Sequence, residues 1–150
     1  MTDAIRDADP SDCATLSVLA MLSKAYWGYD EAFMAACRAE LTVRPADLER
    51  GRVRVFDDGE LVGFHGVIDG ELQWMFVAPA AIGCGIGVLL WADAVAVAKE
   101  QGIETLRIES DPNAVGFYER MGAKRVGDAP SVSVPGRELP LLEFAVSSSP

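Results

Sequence analysis

Residues 77–87 read Val-Ala-Pro-Ala-Ala-Ile-Gly-Cys-Gly-Ile-Gly, and this segment indicates the architecture of the chain. It continues the apolar, strand-like run Leu72–Val77 and leads into residues 88–99, which are rich in alanine and leucine as helices are. Glycines let a backbone approach a ligand closely, and the unpaired N–H groups at the start of a helix favour an anion. The sequence therefore predicts a strand, a phosphate-binding loop and a helix in succession.

Two well-known phosphate-binding loops do not fit this segment. A Walker loop ends in Gly-Lys-Ser or Gly-Lys-Thr, but Gly87 is followed by Val88. A dinucleotide-binding fingerprint that starts at Gly83 and Gly85 needs its third glycine at position 88, which is again a valine. A glycine turn with a purely structural role stays open as the alternative.

The regions around the loop alternate between helical and strand-like patterns. Apolar spacing and capping residues predict helices, and short runs of strand-forming residues bounded by turns predict strands. The first predicted helix follows a cap at residues 9–12 and includes residues 16–22. The other predicted helices cover about residues 30–41, 88–99 and 113–121, and the predicted strands cover about 53–56, 61–68, 72–77, 105–109 and 139–146. This order predicts an α/β protein of the α+β type around a central sheet, and not the regular alternation of a Rossmann fold.

Composition predicts one folded domain and excludes several classes of function. The chain has 150 residues, half of them apolar, so we expect a single domain over residues 1–146 and a frayed tail, Ser-Ser-Ser-Pro, over 147–150. The formal net charge of −10 disfavours nucleic acid as a partner, because such binding requires phosphate charge to be neutralised. The exposed strand edges of such a fold are suited to pairing between two copies of the chain, so a homodimer is a possible assembly.

The three cysteines indicate neither a disulfide framework nor a metal site. Cys13, Cys37 and Cys84 are far apart and form no CxxC pair, so we expect no metal and a reducing, cytoplasmic environment. Residues 72–92 carry no charge and are long enough to cross a bilayer, but Pro79 and the glycines of the loop interrupt them. We therefore expect no membrane span.

A second motif lies downstream of the glycine loop. Residues 110–123 read Ser-Asp-Pro-Asn-Ala-Val-Gly-Phe-Tyr-Glu-Arg-Met-Gly-Ala. In this order, the two motifs resemble the signatures of the GNAT superfamily of acyl-CoA-dependent N-acetyltransferases. The resemblance extends over about residues 53–146, and it implies a GNAT-like mixed, mostly antiparallel central sheet flanked by helices.

The resemblance also implies acetyl-CoA as cosubstrate and assigns residues to it. Phe76 and Val77 would pair with the pantetheine arm through their backbones, and Asn113 would help to position that arm. Tyr118 would protonate the departing thiolate, since a phenol with a reference pKa of about 10 keeps its proton at neutral pH. The backbone amides that would surround the pyrophosphate are those of Gly83, Cys84, Gly85, Ile86, Gly87 and Val88.

Alternatives stay open for these residues. Tyr118 and its neighbour Phe117 would also suit the filling of a helix–sheet core. Ile82 stands where the family has Gln or Arg, and Cys84 stands where a basic residue is common, so the loop offers fewer side-chain contacts to phosphate. Cys84 is either a small loop residue or a reactive thiol at a helix start.

The sequence offers only weak candidates for a general base. Glu109 ends a predicted strand near the proposed Tyr118 site and is either this base or a solvated carboxylate. His65, the single histidine, titrates near neutrality but lies in an apolar strand, where a packing role is the alternative. Glu71 and Asp111 complete the set.

Aromatic and basic residues are candidates for binding the acceptor. Trp27 and Tyr29, beside Tyr26, would form an aromatic wall or belong to the core. Trp74 lies in the strand before the loop, at a position where many GNAT relatives have a polar group. Arg137, in the segment before the final strand, would recognise a carboxylate or pair with an internal acid.

These observations predict an N-acetyltransferase that moves an acetyl group from acetyl-CoA to a primary amine by direct attack. The acceptor would be a small molecule or a peptide. The competing hypothesis is a noncatalytic acyl-CoA-binding or sensing module with the same fold. A dinucleotide-binding oxidoreductase is a third hypothesis, and it predicts binding of NAD(P) in place of CoA.

Overall fold

The computed structural model describes residues 4–146, which form a seven-stranded sheet with the order β1-β2-β3-β4-β5-β7-β6. The strands are β1 (Ile5–Asp7), β2 (Gly51–Asp57), β3 (Leu61–Ile68), β4 (Glu71–Val77), β5 (Thr105–Glu109), β6 (Lys124–Pro130) and β7 (Glu138–Ala145). Neighbouring strands are antiparallel except β4 and β5, which are parallel. The tail predicted at 147–150 lies outside the described residues.

Helices cover both faces of the sheet. They are α1 (Cys13–Ala25), α2 (Glu31–Cys37), α3 (Pro45–Arg50), α4 (Ile86–Glu100) and α5 (Val115–Arg120). One hydrophobic cluster joins α1 and α2 to β2, β3 and β4, and a second joins α4 and α5 to β5 and β7. None of the helices within residues 4–146 is long and apolar enough to cross a membrane.

The sheet opens between its two parallel strands. In the described residues a single residue pair, Glu71 with Arg107, joins β4 to β5. Just beyond this pair β4 contains a bulge at Gln73, because Leu72 lies opposite Val67 whereas Trp74 lies opposite Gly66. The two strands then continue without pairing and leave a gap at their carboxyl ends.

The structure confirms the predicted α/β architecture with a mostly antiparallel sheet. The predicted helices and strands are all present, although α2 ends at Cys37 and turns replace the predicted helix over residues 38–41. Three elements were not predicted: β1, α3 and β6. Each is short or polar: β1 has three residues, α3 has six, and β6 is a largely exposed edge strand that contains a glycine and a proline.

A buried polar cluster connects α4 to the sheet. Asp93 of α4 accepts hydrogen bonds from Arg54 Nε and Nη2 at 3.0 and 3.1 Å and lies 2.7 Å from Nε2 of the fully buried His65. Burial opposes ionisation of Asp93, but the hydrogen bonds from His65 and Arg54 lower its pKa to about 2. Burial lowers the pKa of His65 below its usual value, although Asp93 works in the opposite direction.

The first prediction concerns the close packing of β3 against β4. A Cβ atom added at Gly66 would lie 2.8 Å from Cε3 of the buried Trp74, closer than carbon atoms pack. We expect Gly66→Ala to reduce the free energy of unfolding by about 1–3 kcal/mol in urea titrations, as overpacking does. The matched control is Gly127→Ala in β6, where an added Cβ meets no atom within 4 Å. Equal stability of the two variants would contradict this packing.

The second prediction concerns Asp93 and acid. A carboxyl group whose pKa is lowered by folding stabilises the protein above its unfolded pKa, and this contribution is lost as the pH falls through the folded pKa. With allowance for solvent screening, we expect Asp93→Asn to cost about 1–2 kcal/mol near pH 7, and the difference from wild type to shrink as the pH approaches about 2. Urea unfolding between about pH 7 and pH 2 measures this difference in the free energy of unfolding. Asp58→Asn, in an exposed turn, is the control. A difference independent of pH would contradict the assignment.

Candidate functional site

A cleft of about 560 Å³ lies where β4 and β5 separate. Most residues singled out in the sequence contribute to its walls. They are Trp27, Trp74, Phe76, Val77, Gly83, Gly85, Ile86, Gly87, Val88, Glu109, Asn113, Tyr118 and Arg137. Four other candidates, Tyr29, Cys84, His65 and Glu71, do not line it. The parting of the strands thus brings the glycine loop and the second motif together.

The glycine loop presents unpaired backbone N–H groups at the start of α4. Gly83 and Gly85 have φ values of +87° and +82°, a conformation that side chains other than glycine rarely adopt. Several N–H groups in this segment make no hydrogen bond within the described residues, namely those of Gly83, Gly85, Ile86, Gly87 and Val88. Such a set, at the positive end of a helix, is suited to a phosphate group.

Cys84 interrupts this row of amides. Its backbone N–H donates to the carbonyl of Ala81 at 3.2 Å, and its exposed side chain is not part of the cleft wall. The cofactor contact predicted for the Cys84 amide stays a prediction, and in this conformation that N–H is already bonded. The neighbouring Ile82 is 46% exposed and offers no polar group.

The carboxyl half of β4 forms another wall of the cleft. Phe76 and Val77 pair with β3 on one side. On the β5 side, no strand pairs with them in the described chain, so backbone groups there can bond to an extended ligand. This is the arrangement that the sequence-based assignment of these two residues requires.

Tyr118 lies on the opposite wall. Its side chain is 6% exposed and packs against Trp91 and Phe117, with ring centroids 5.8 and 5.4 Å apart. No hydrogen bond to its hydroxyl occurs within the described residues. Burial raises the pKa of Tyr118 well above its usual value, and the nearby charge of Asp111 raises it further. The ring thus has the packing role, while the phenol keeps its proton and retains the capacity to donate it.

Asp111 organises the polar side of the cleft. Its Oδ2 accepts hydrogen bonds from Lys24 Nζ at 2.6 Å and from the Tyr29 hydroxyl at 2.9 Å, and its Oδ1 accepts from the backbone and side chain of Asn113 at 2.8 and 2.9 Å. Burial works against ionisation, but these bonds lower the pKa of Asp111 below its usual value. A carboxylate held in this way is a poor general base, because it binds protons weakly.

The aromatic candidates have different positions. Trp27 is 47% exposed and lines the cleft, whereas Trp74 is buried and donates from Nε1 to the carbonyl of Glu40 at 3.0 Å. Tyr29 stacks on Phe33 with a centroid distance of 4.1 Å and bonds to Asp111. Tyr29 therefore supports the wall from behind, and Trp27 is the aromatic side chain available to a ligand at the surface.

Of the candidate bases, Glu109 lines the cleft and His65 does not. Glu109 lies 3.3 Å from Arg107, which is also 3.5 Å from Glu71. Burial and the charge of Glu109 raise the pKa of Glu71, but Glu71 is not part of the cleft wall. The catalytic role predicted for His65 stays a prediction, but its ring is fully buried against Asp93 and does not line the cleft.

Sequence analysis missed Lys24 and Phe33. Lys24 lies near the carboxyl end of α1, 87 positions before its partner Asp111, and Phe33 becomes part of the cleft's support only through its stacking on Tyr29. A single lysine at the end of an apolar helix has no local pattern that distinguishes it from a surface lysine. Arg137 was a candidate, but its proximity to Lys24 and Tyr29 arises from the fold alone.

Comparison with known proteins gives consistent matches. The family model described as acetyltransferase (GNAT) domain matches residues 29–133. A peptidyl-lysine N-acetyltransferase, YjaB from Salmonella typhimurium, is 37% identical over 92 residues, which make up 61% of each chain. The match thus covers about three fifths of the length of that relative.

Solved structures show the same fold. A GCN5-related N-acetyltransferase from Rhodopseudomonas palustris superposes with a TM-score of 0.81 at 20% identity, covering 97% of this chain and 96% of that one. The PaiA N-acetyltransferase from Thermoplasma acidophilum, solved with coenzyme A, superposes with a TM-score of 0.75 at 22% identity, covering 94% and 97%. At these identities the likeness establishes the architecture.

Proposed function

Since the chain belongs to the acetyltransferase (GNAT) family, we propose that it transfers the acetyl group of acetyl-CoA to a primary amine. The observation that carries this proposal is the composition of the cleft. Within residues 4–146, the unpaired loop amides and the free edge of β4 lie on one side, and the Tyr118 hydroxyl, which makes no hydrogen bond there, lies on the other. The loop amides and the edge of β4 are suited to binding the cosubstrate, and the Tyr118 hydroxyl is suited to proton transfer to a leaving group.

The residues present fit acetyl-CoA. The amides of Gly83, Gly85 and the first turn of α4 would hold the pyrophosphate, with Ile82 contributing no polar contact. The free edge of β4 at Phe76 and Val77 would bond to the amides of the pantetheine arm, and Asn113 would help to position that arm. Bound acetyl-CoA supplies the thioester whose carbonyl carbon the amine attacks.

Tyr118 and Glu109 then divide the proton transfers. The attacking nitrogen forms the new amide bond and loses a proton, which Glu109 receives directly or through water. Tyr118 Oη gives its proton to the sulfur as the carbon–sulfur bond breaks, and solvent later restores the phenol. Trp27 and Arg137 bind the acceptor at the cleft mouth, and Trp74 supports the wall behind them.

The third prediction concerns cosubstrate binding. A ligand that binds only the folded protein raises its apparent stability, so acetyl-CoA and CoA should raise the unfolding temperature saturably and NAD(P) should not. Gly85→Ala should weaken binding by about tenfold, because alanine at a φ of +82° displaces the loop. Gly59→Ala, at a φ of +108° in a turn that does not line the cleft, is the matched control. Protection by NAD(P) instead of CoA would support the oxidoreductase hypothesis and contradict this one.

The fourth prediction concerns Tyr118. Tyr118→Phe keeps the packed ring and removes the donor, so kcat should fall by about 10²–10⁴-fold with little change in acetyl-CoA affinity. Tyr26→Phe, on an exposed ring outside the cleft wall, should leave kcat unchanged. Acetyl-CoA binding without transfer to any amine in a broad panel would indicate the noncatalytic module, and equal kcat in wild type and Tyr118→Phe would exclude the assigned role.

A further inference from the structure

We propose that Arg137, assisted by Lys24, binds a carboxylate of the acceptor, so that the acceptor is an amine that also carries a carboxylate. This proposal rests on the proposed function and specifies its substrate class. Both side chains line the cleft, and both are largely buried, with exposed fractions of 18% and 13%. The argument depends on how much of their positive charge the protein itself neutralises.

Asp111 is the single carboxylate within 4.0 Å of either cation among the described residues. Its Oδ2 is held by Lys24 and Tyr29, and its Oδ1 by the two nitrogens of Asn113. A carboxylate bonded through both oxygens has little capacity for a further bidentate partner. Asp111 therefore neutralises Lys24, and two cations share one negative charge.

The guanidinium of Arg137 is left with unused donors. Within the described residues its one hydrogen bond goes from Nη2 to the Tyr29 hydroxyl at 3.1 Å, and its distance to Asp111 is 3.9 Å. A guanidinium has five N–H donors in a planar fork that matches a carboxylate. A largely buried guanidinium with most of its N–H donors unbonded raises the free energy of the folded protein unless a ligand or water accepts hydrogen bonds from it.

The aromatic pair behind the cleft holds the cation in place. The Arg137 guanidinium carbon lies 4.7 Å from the centre of the Phe33 ring and 5.4 Å from that of Tyr29. Stacking of this kind restricts the side chain before a ligand arrives, which reduces the entropy lost on binding. Arg137 is thus oriented by its neighbours without being neutralised by them.

The other acids at the cleft have different partners. Glu109 pairs with Arg107, whereas Glu40 accepts a hydrogen bond from the neutral hydroxyl of Ser133 and keeps its negative charge at the cleft. Neither makes an ion pair with Arg137 within the described residues. In a protein of net charge −10, a guanidinium with no carboxylate closer than 3.9 Å among the described residues is a local positive site that favours an anionic group at that point.

The test compares acids with their uncharged amides as acceptors. Matched pairs are 4-aminobutanoate with 4-aminobutanamide and 6-aminohexanoate with 6-aminohexanamide, compared at equal concentrations of free amine. A second set contains short lysine peptides with either glutamate or glutamine beside the lysine, which distinguishes a small acceptor from a peptide. We expect wild type to prefer the acid by about 10-fold to 100-fold in kcat/KM, chiefly through KM.

The variants assign that preference to Arg137. Arg137→Gln should bring acid and amide to within about threefold of each other, because the charged fork is lost. Arg125→Gln removes an exposed arginine of β6 that pairs with Asp128, and it should retain the full preference. Circular dichroism and the acetyl-CoA thermal shift verify that each variant is folded. Equal use of acid and amide by wild type, or an unchanged preference in Arg137→Gln, would overturn the proposal.

A binding measurement separates this proposal from the proposed function. Butanoate and butanamide carry no amine, so calorimetry reports the carboxylate subsite without any acetyl transfer. Wild type should bind butanoate more tightly than butanamide, and the difference should shrink at high salt and in Arg137→Gln. Absence of this difference overturns the subsite even if amines are acetylated. Absence of acetyl transfer and of acetyl-CoA binding overturns the proposed function, while the butanoate result still decides the subsite.

Discussion

The gap between β4 and β5 determines nearly every functional feature of the molecule. Parallel strands ordinarily continue their hydrogen-bonded ladder, but among residues 4–146 one residue pair joins β4 to β5, and β4 bulges just beyond that pair. Separation leaves strand-edge groups of β4 unpaired and opens space at the carboxyl ends of both strands. The loops that follow these ends carry the glycines and the second motif, so the same break creates the cleft and supplies its walls.

The hydrogen bonds that β4 and β5 do not make with each other have to be compensated by other interactions. Two sets of contacts across the gap do this. Beneath the sheet, Trp91 and its neighbours on α4 pack with residues of both strands, including Leu72 and Ile108. Above it, Lys24 of α1 reaches Asp111 after β5, and Tyr29 joins the same carboxylate. A buried hydrophobic layer on one face and a hydrogen-bonded ion pair on the other thus connect the two halves of the sheet across the gap.

Local features were readable from sequence, and long-range ones were not. Glycine positions, apolar runs and the Asn113 to Tyr118 segment follow patterns within a few residues, so the loop, α4 and the mostly antiparallel sheet were predicted. The pairing of His65 with Asp93 was not readable, because the two residues are 28 positions apart and the burial of His65 depends on the packing of α4. Lys24 was not predicted because its partner Asp111 is also far away in the sequence. The elements β1 and α3 were not predicted because they contain too few residues to show a hydrophobic period.

Asp111 couples the two sides of the proposed reaction. Lys24, Tyr29 and Asn113 stabilise its ionised form, and that charge in turn raises the pKa of Tyr118 beyond the effect of burial. A neutral phenol is the form that has a proton to give, so the carboxylate that arranges the acceptor side also keeps the donor protonated. Because Lys24 already balances this carboxylate, Arg137 is left to face the cleft with its charge uncompensated. Under the proposed function and the proposed acceptor class, a single shared group thus separates two electrostatic tasks, retention of a proton at Tyr118 and attraction of an anion at Arg137.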